Sequence, residues 1–425
     1  MKMSQLFTKT SKDAPADEQA KNAQLLIKAG FIHKEMAGVY DYLPLGHMVL
    51  NNIIQVIREE MNAIGGQELF LSSLQPKDSW EKSGRWHDDV VDVWFKTRMH
   101  AGEGYHLGPE LGLGNTHEEA LTALMRGHIQ SYKDLPAYPY QFQTKFRNEL
   151  RSKSGIMRCR EFIMKDLYSF SRSQAQHDEF YEKAKQAYLR VFDRLGLGDI
   201  TYITFASGGS FSKFSHEFQT ITDIGEDTIY VHEGKKIAIN KEVYTDEVLA
   251  ELGVSKDDLT EKRAVEVGNI FTLGTKFSEP LELMFTDEDG MLKPVVMGSY
   301  GIGPGRVMGT IVEHFADDKG IVWPENIAPF QVYLAPVGRD DSVREHAEEL
   351  YKGLTAAGIA VLYDDRDARP GEKFADADLM GIPYRVVVSE KTLAQNKYEV
   401  KARTSDDVQL LDAKGVIKTV IPKDI

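Results

Sequence analysis

The sequence predicts an α+β protein: an antiparallel sheet flanked by helices over residues 1–325, then a smaller α/β domain over 326–425. Three observations predict it. The stretch TKFRNELRSKSGIMRCREFIMKDLYSF, Thr144 to Phe170, reads as two extended runs around a loop marked by Ser152, Ser154 and Gly155, an antiparallel hairpin. At 297–306, MGSYGIGPGR is a strand with a glycine turn, and it runs into a helix through Val307, Met308, Ile311 and Val312. Beyond Pro324 and Pro329 strands alternate with helices, as in a compact α/β unit.

The totals bound the function. A chain of 425 residues can bury a core in each of two or three domains, and 42% hydrophobic with 27% charged residues is ordinary globular composition. No apolar run is long enough to span a bilayer, and Met1 to Ala20 is too polar for a secretory signal, so no membrane partner is expected. The single Cys159 excludes an intrachain disulfide framework and a zinc site built on several thiolates, and a cytoplasmic protein is expected. A net charge of −14 argues against gripping nucleic acid over the whole surface, but leaves room for a local basic patch.

In chain order, Lys21 to Ala29 is a short helix closed by Gly30. After the turn at Leu43-Pro44-Leu45-Gly46, Val49, Leu50, Ile53, Ile54, Ile57 and Met61 recur at helical spacing from His47 to Ala63. Gly65 and Gly66 stop that helix, Glu68 to Leu74 reads as a strand, and Pro76 ends the unit. Asp92 to Arg98 is a further strand. Gln174 to Leu195 is a helix ending at Gly196. Residues 240–265 form a short acidic insert, helical around Asp246 to Leu252, and Val267 to Leu273 resumes as a strand. In the last domain strands are expected at Phe330–Val337, Ile359–Tyr363 and Arg385–Val388, helices at Val343–Ala356 and Asp376–Leu379, and edge strands at Tyr398–Thr404 and Val408–Leu411.

Several residues carry chemistry. The hairpin presents Arg147, Arg151, Lys153, Arg158, Arg160 and Lys165 against Glu149, Glu161 and Asp166, with Phe162 among them. Guanidinium forks beside a flat ring suit a nucleotide, through bidentate phosphate contacts and base stacking; a solvated charged hairpin is the bland alternative. Thr116 reads either as an N-cap with Glu119 as capping-box partner, or with Glu118 as a ligand pair for a small ammonium. Around Gly208-Gly209-Ser210 and Ser215-His216-Glu217-Phe218, crowded small residues suggest close approach of backbone to ligand. The glycines before Thr116 lack a following Lys-Ser or Lys-Thr and are no Walker loop. Arg306 stands where a dinucleotide-binding turn needs its third glycine.

These segments resemble the three motifs of the class II aminoacyl-tRNA synthetases. Helix, strand and proline over 47–76 resemble motif 1, Phe146-Arg147-x-Glu149 with Arg158-x-x-x-Phe162 resembles motif 2, and 297–312 resembles motif 3. Thr116-x-Glu118, the Ser-His-Glu-Phe segment and Arg369-Pro370-Gly371-Glu372-Lys373-Phe374 are similar to bacterial prolyl-tRNA synthetases, although GPELGLGN before Thr116 is longer than the usual lead. The resemblance implies ATP-dependent attachment of proline to tRNA(Pro) through a prolyl-adenylate. It implies Arg147 and Arg306 as catalytic, and Arg147, Glu149, Arg158, Phe162, Gly303 and Arg306 around ATP. Thr116, Glu118 and His216 would hold proline, Glu217 would hold Mg²⁺, and Arg366, Arg369, Glu372 and Lys373 would meet the anticodon. It further implies a homodimer through motif 1. The insert is too small for an editing domain, so a separate hydrolase would clear Ala-tRNA(Pro). A threonyl enzyme would hold zinc on one Cys and two His, and Cys159 has no such partner pattern. A non-catalytic tRNA-binding paralogue would have lost Arg147, Arg158 and Arg306, and all three are present.

Overall fold

The computed structural model describes residues 1–101, 106–150, 154–208 and 214–421. Arg151, Lys153 and the Gly209–Ser210 pair of the small-residue run lie outside the described residues. By contact density the chain forms two compact units: Met1–Ile53 with Lys153–Ile156 and Ile311–Ile425, and Ile54–Ser152 with Met157–Thr310.

The second unit is built on one sheet, nine-stranded among the described residues. The hairpin Pro139–Phe146 with Glu161–Ser171 is antiparallel, and Val296–Ile302 and Thr260–Gly274 continue it in antiparallel order. Thr260–Gly274 pairs on with both Phe214–Ile221 and Asp227–His232, and Thr201–Ser207 with Ile237–Asn240 complete a ring of pairings at that end. The helix Gln174–Arg194 starts at Ser173, whose hydroxyl accepts from Gln176 N, and packs Phe180, Tyr188 and Phe192 into the core.

Several expected elements shift for physical reasons. Glu68–Leu74 is not one strand. Only Gln67–Glu68 pairs with the sheet; beyond it the side chains of Gln141 and Gln143 take the backbone N–H and C=O of Leu71. Leu74–Pro76 then joins a separate small sheet with Phe95–Ala101 and His106–Leu113. Residues 157–160 are not extended, since a 3₁₀ turn at Gly155–Met157 delays the second hairpin strand to Glu161. Lys165 is not presented to solvent. It is fully buried, donating to Tyr188 Oη at 2.5 Å and Tyr300 O at 3.0 Å, and burial pushes its pKa well down. The insert keeps its helix, Asp246–Leu252, with Thr245 as N-cap and Gly253 at φ +62°, but its last residues belong to the long strand Thr260–Gly274.

In the first unit the sheet order is Val361–Tyr363, Val332–Val337, Tyr384–Ser389, Tyr398–Ala402, Val408–Leu411, parallel across the first three strands and antiparallel beyond. Asp341–Ala356 buries Val343, Ala347, Leu350 and Leu354 on this sheet. The expected helix at Asp376–Leu379 is longer, Pro370–Met380, with proline in its first turn. A further helix, Ala413–Val420, was not expected and buries Val416 and Val420. Among the described residues no helix is long and apolar enough to cross a membrane.

Candidate active site

Strand register decides which side chains meet. Asp166, Gly301, Asn269 and Glu217 lie directly opposite one another on four neighbouring strands, so they form one row on one face of the sheet. That face floors a cleft of about 240 Å³ whose lining includes Thr116, Glu118, Arg147, Glu149, Met164 and Asp166. The row Leu167, Tyr300, Ile270 and His216 points to the opposite face, towards the helix Gln174–Arg194. There His216 hydrogen-bonds Tyr181 through Nδ1 at 2.9 Å, and burial followed by the Lys185 charge pushes its pKa down to about 4. His216, expected at the proline site, is therefore not among the cleft residues. One residue of strand period separates it from Glu217, which shares the cleft face.

At one end of the cleft Thr116 does not cap the following helix. Glu118–Met125 has His117 at its N-cap position with no side-chain cap bond. The Thr116 hydroxyl instead donates to Glu118 Oε2 at 2.5 Å, and Arg85 Nη1 lies 3.4 Å from the same oxygen. Arg85 also pairs with Glu119 at 3.0 Å and lies over the Trp80 ring, within a cluster of Trp80, Trp86 and Trp94. Burial pushes the Glu119 carboxyl up to about 7 against that cation. Between the two ligand candidates, His117 is fixed from three sides. Lys145 Nζ meets its Nδ1 at 2.7 Å, its Nε2 lies 3.1 Å from Ser72 O, and its backbone N donates to Tyr168 Oη at 3.2 Å. Lys145 is in turn paired with Asp166 at 2.8 Å, both buried.

Arg147 lies in the same cleft. Its Nε donates to Asn115 O at 3.1 Å and its guanidinium stands 5.5 Å from the Phe162 ring centre, but among the described residues no carboxylate pairs with it. Burial and then the Arg306 charge lower its pKa. Asn115, also lining the cleft, has a buried Nδ2 with no hydrogen-bond partner among the described residues. Glu149 accepts from Arg158 Nε at 3.0 Å, and Arg158 is further paired with Glu226. Arg306, in the helix Pro304–Phe315, donates to Met157 O and Glu266 O and lies 3.3 Å from Glu266 Oε2. A Cβ at Gly303 would meet nothing closer than Arg306 Cβ at 3.5 Å, so protein packing does not demand a glycine there.

Glu217 and Glu266 form an acidic pair beside this arginine. Glu217 accepts from Gln219 at 2.8 Å and Asn240 at 3.2 Å, and Glu266 accepts from Asn269 at 2.7 Å. Burial and then the Glu266 charge push the Glu217 carboxyl up to about 8. Of the two, Glu266 already pairs with Arg306, while Glu217 accepts only from amides among the described residues; two neighbouring carboxylates of this kind suit a hard cation.

Residues 103–315 match the family described as tRNA synthetase class II core domain (G, H, P, S and T), and residues 331–423 match the anticodon binding domain family. The proline--tRNA ligase of Maricaulis maris is 36% identical over 443 residues, covering 98% of this chain and 98% of that protein. That of Rickettsia akari is 36% identical over 434 residues, covering 99% of this chain and all of that protein. The Burkholderia lata ligase is 33% identical, covering 100% of this chain and 99% of that protein, in an alignment stretched to 580 residues. The chain belongs to the prolyl-tRNA synthetase family. It is a short member: where the Burkholderia lata alignment needs 580 positions, this chain has 425 residues, and no large insertion lies between its motifs 2 and 3. The prolyl-tRNA synthetase of Cryptosporidium parvum, solved with halofuginone and AMPPNP, shares the fold at a TM-score of 0.76 and 18% identity, over 94% of this chain and 75% of that one.

Of the residues singled out in the sequence, Thr116, Glu118, Arg147 and Glu149 line one cleft and Phe162 lies under the Arg147 guanidinium; Asp166, read there only as a hairpin charge, lines it too, and Arg85, Asn115, Lys145 and Glu266 were not assigned to the site. Lys145 and Asp166 carried a signal: each lies in a hairpin strand with the period-two alternation that puts it on the arginine face. The C-terminal residues separate differently. Arg366 is held by both oxygens of Asp364 and by Asp376 at 2.7 Å, and Lys373 donates to Pro336 O and Asp364 O. Arg369 lines a basin of about 450 Å³ with Arg339 and Arg344, and none of these three has an acidic partner among the described residues. Glu372 lines a neighbouring hollow instead.

Proposed function

We propose that this chain joins proline to tRNA(Pro) in two steps. In the first, a carboxylate oxygen of proline attacks the α-phosphorus of ATP in line; the new P–O bond forms as the bond to pyrophosphate breaks, giving prolyl-adenylate. In the second, the terminal ribose hydroxyl of the tRNA attacks the prolyl carbonyl, loses its proton, and AMP leaves. Both steps need orientation and charge neutralisation more than protein acid–base chemistry. Arg147 is the half-buried cation for the proline carboxylate and α-phosphate, and Phe162 offers its ring to adenine. Arg158 and Arg306 take the outer phosphates, at Gly303 where backbone can come close. Glu118, with the Thr116 hydroxyl, accepts the secondary ammonium of proline, while Arg85 and the Lys145–Asp166–His117 set hold that pair in place. His216 acts only through packing behind the sheet.

Class II chemistry with ATP implies Mg²⁺, and Glu217 and Glu266 are the residues that would hold it. Bound there, it would neutralise phosphate charge. Arg369, with Arg339 and Arg344, is assigned to the anticodon, and Arg366 to shaping its loop. The helix Pro44–Ala63 is assigned to a homodimer interface, the cytoplasm is the compartment, and a separate hydrolase clears Ala-tRNA(Pro).

One observation carries this reading: a half-buried guanidinium, paired with no carboxylate among the described residues, shares a cleft with a carboxylate–hydroxyl pair. Burying a cation is costly unless an anion meets it, and proline with ATP brings one. Exchange of labelled pyrophosphate into ATP, run with each of the twenty amino acids, tests it. Proline should dominate; a dominant threonine, histidine or glycine signal would overturn the pocket, and silence with all of them would overturn the enzyme.

A further inference from the structure

The first residues are held against the C-terminal domain, Met1 and Lys2 along the open edge of its sheet, although the anticodon-binding match begins at 331. Lys2 bridges Tyr363 in parallel register, and Tyr363 N donates to Met1 O at 2.9 Å. Met3 and Leu6 are buried. Ser4 then binds the Asp365 carboxylate twice, through its backbone N at 2.9 Å and its hydroxyl at 2.6 Å. Thr10 donates to Asp376 Oδ1 at 2.7 Å, the carboxylate whose other oxygen holds Arg366. The segment therefore fixes the 365–366 end of the loop 364–369 that walls the basin, directly at Asp365 and through Asp376 at Arg366. Lys2 itself lines that basin, together with Arg339, Arg344, Arg366, Arg369 and Lys373; the carboxylates in the lining are Asp365 and Asp367. In a chain of net charge −14 this is a concentrated patch of positive charge.

We propose that residues 1–11 are part of the RNA-binding surface: the strap sets the 364–369 loop, and Lys2 adds a phosphate contact for a single-stranded RNA loop. The inference rests on the assignment of the Arg339–Arg344–Arg369 basin to the anticodon. Lys2 is paired with Glu348 at 3.0 Å on the half-exposed rim, so an arriving phosphate competes with one surface carboxylate rather than with a buried one. Such surface pairs are worth little and yield readily to a stronger anion.

The test is binding of full-length chain to a tRNA(Pro) transcript, read by fluorescence anisotropy across a salt series. Lys2→Ala should weaken binding about 3- to 10-fold at low salt, and should reduce the slope of log affinity against log salt by about 0.7, the value for one phosphate contact on a single strand. Lys2→Arg should restore both. Ser4→Ala should weaken binding with the slope unchanged, because it loosens the loop without removing a cation. If Lys2→Ala and Ser4→Ala bind as wild type while Arg369→Ala is weakened, the strap has no part in RNA binding and the inference falls. If Arg369→Ala also binds as wild type, the anticodon assignment of the basin falls with it. A weakened Lys2→Ala that Lys2→Arg does not rescue would mean lost packing, and would overturn the phosphate contact.

Discussion

Arg147 and Thr116 stand at opposite ends of the chemistry, and their substitutions should fail in different ways. Arg147 lines the cleft as a half-buried cation paired with no carboxylate among the described residues, so removing it breaks no ion pair there and, on the proposed reading, strips charge from the phosphate. Arg147→Ala should lower pyrophosphate exchange by about 10³-fold or more through kcat, with an unchanged melting temperature, since oxyanion-type contacts act where charge develops. Near-normal exchange in that variant would remove Arg147 from the site. Thr116, on the proposed reading, touches the ground state. Thr116→Val keeps the shape and deletes the hydroxyl that orients Glu118, so the KM for proline should rise about 10-fold, the worth of one hydrogen bond beside a charge, with the KM for ATP unmoved.

At the scale of elements, the strand Phe214–Ile221 shows what could and could not be read beforehand. Its residues were legible as a ligand-facing segment, but its face was not, because a shift of one residue exchanges every side chain between cleft and helix. The register comes from partners at 260–274, and that strand's side chains give no sequence signal for which neighbour each residue meets. The helix Gln174–Arg194 was legible because 3.6-residue periodicity is local. Thr116 stayed open between cap and ligand because its spacing to Glu119 also fits a capping box; in the fold its hydroxyl goes to Glu118, while Arg85 claims Glu119. His216 on the helix side has a pH consequence. Folded, it titrates near 4, held down by burial and Lys185 and opposed by Glu182; unfolded, it titrates near its ordinary value of about 6.5. The unfolded chain therefore takes up the proton first as pH falls, so stability present above about 6.5 is lost down to about 4. The loss amounts to about 3 kcal/mol at most, from roughly 2.5 pH units at 1.36 each. His216→Gln should flatten this decline in melting temperature against pH without abolishing it, because His117 is also pushed down to about 4. An unchanged slope would place His216 in water.

For the whole molecule, the short segment between motifs 2 and 3 has a consequence for accuracy. Residues 237–259 contribute one strand, a seven-residue helix and 3₁₀ turns, and they pack Ile239, Val248 and Leu249 against Phe205 of the sheet. That is enough to complete the ring of strands and cover Phe205, not to form a second hydrolytic site. Discrimination therefore rests on the proline cleft alone, and a cleft shaped for a larger substrate admits a smaller one. Each missing methylene costs only about 1–3 kcal/mol, so alanine, lacking part of the ring, should be activated at a rate lower by about 10²- to 10⁴-fold rather than excluded. Two measurements follow on the purified full-length chain. Alanine should support weak but saturable pyrophosphate exchange, and pre-formed Ala-tRNA(Pro) should deacylate no faster with the chain than in buffer. Accelerated deacylation would show a hydrolytic site within these 425 residues and remove the need for a separate hydrolase. Absence of alanine exchange would instead show that the Thr116–Glu118 end of the cleft rejects a primary ammonium outright.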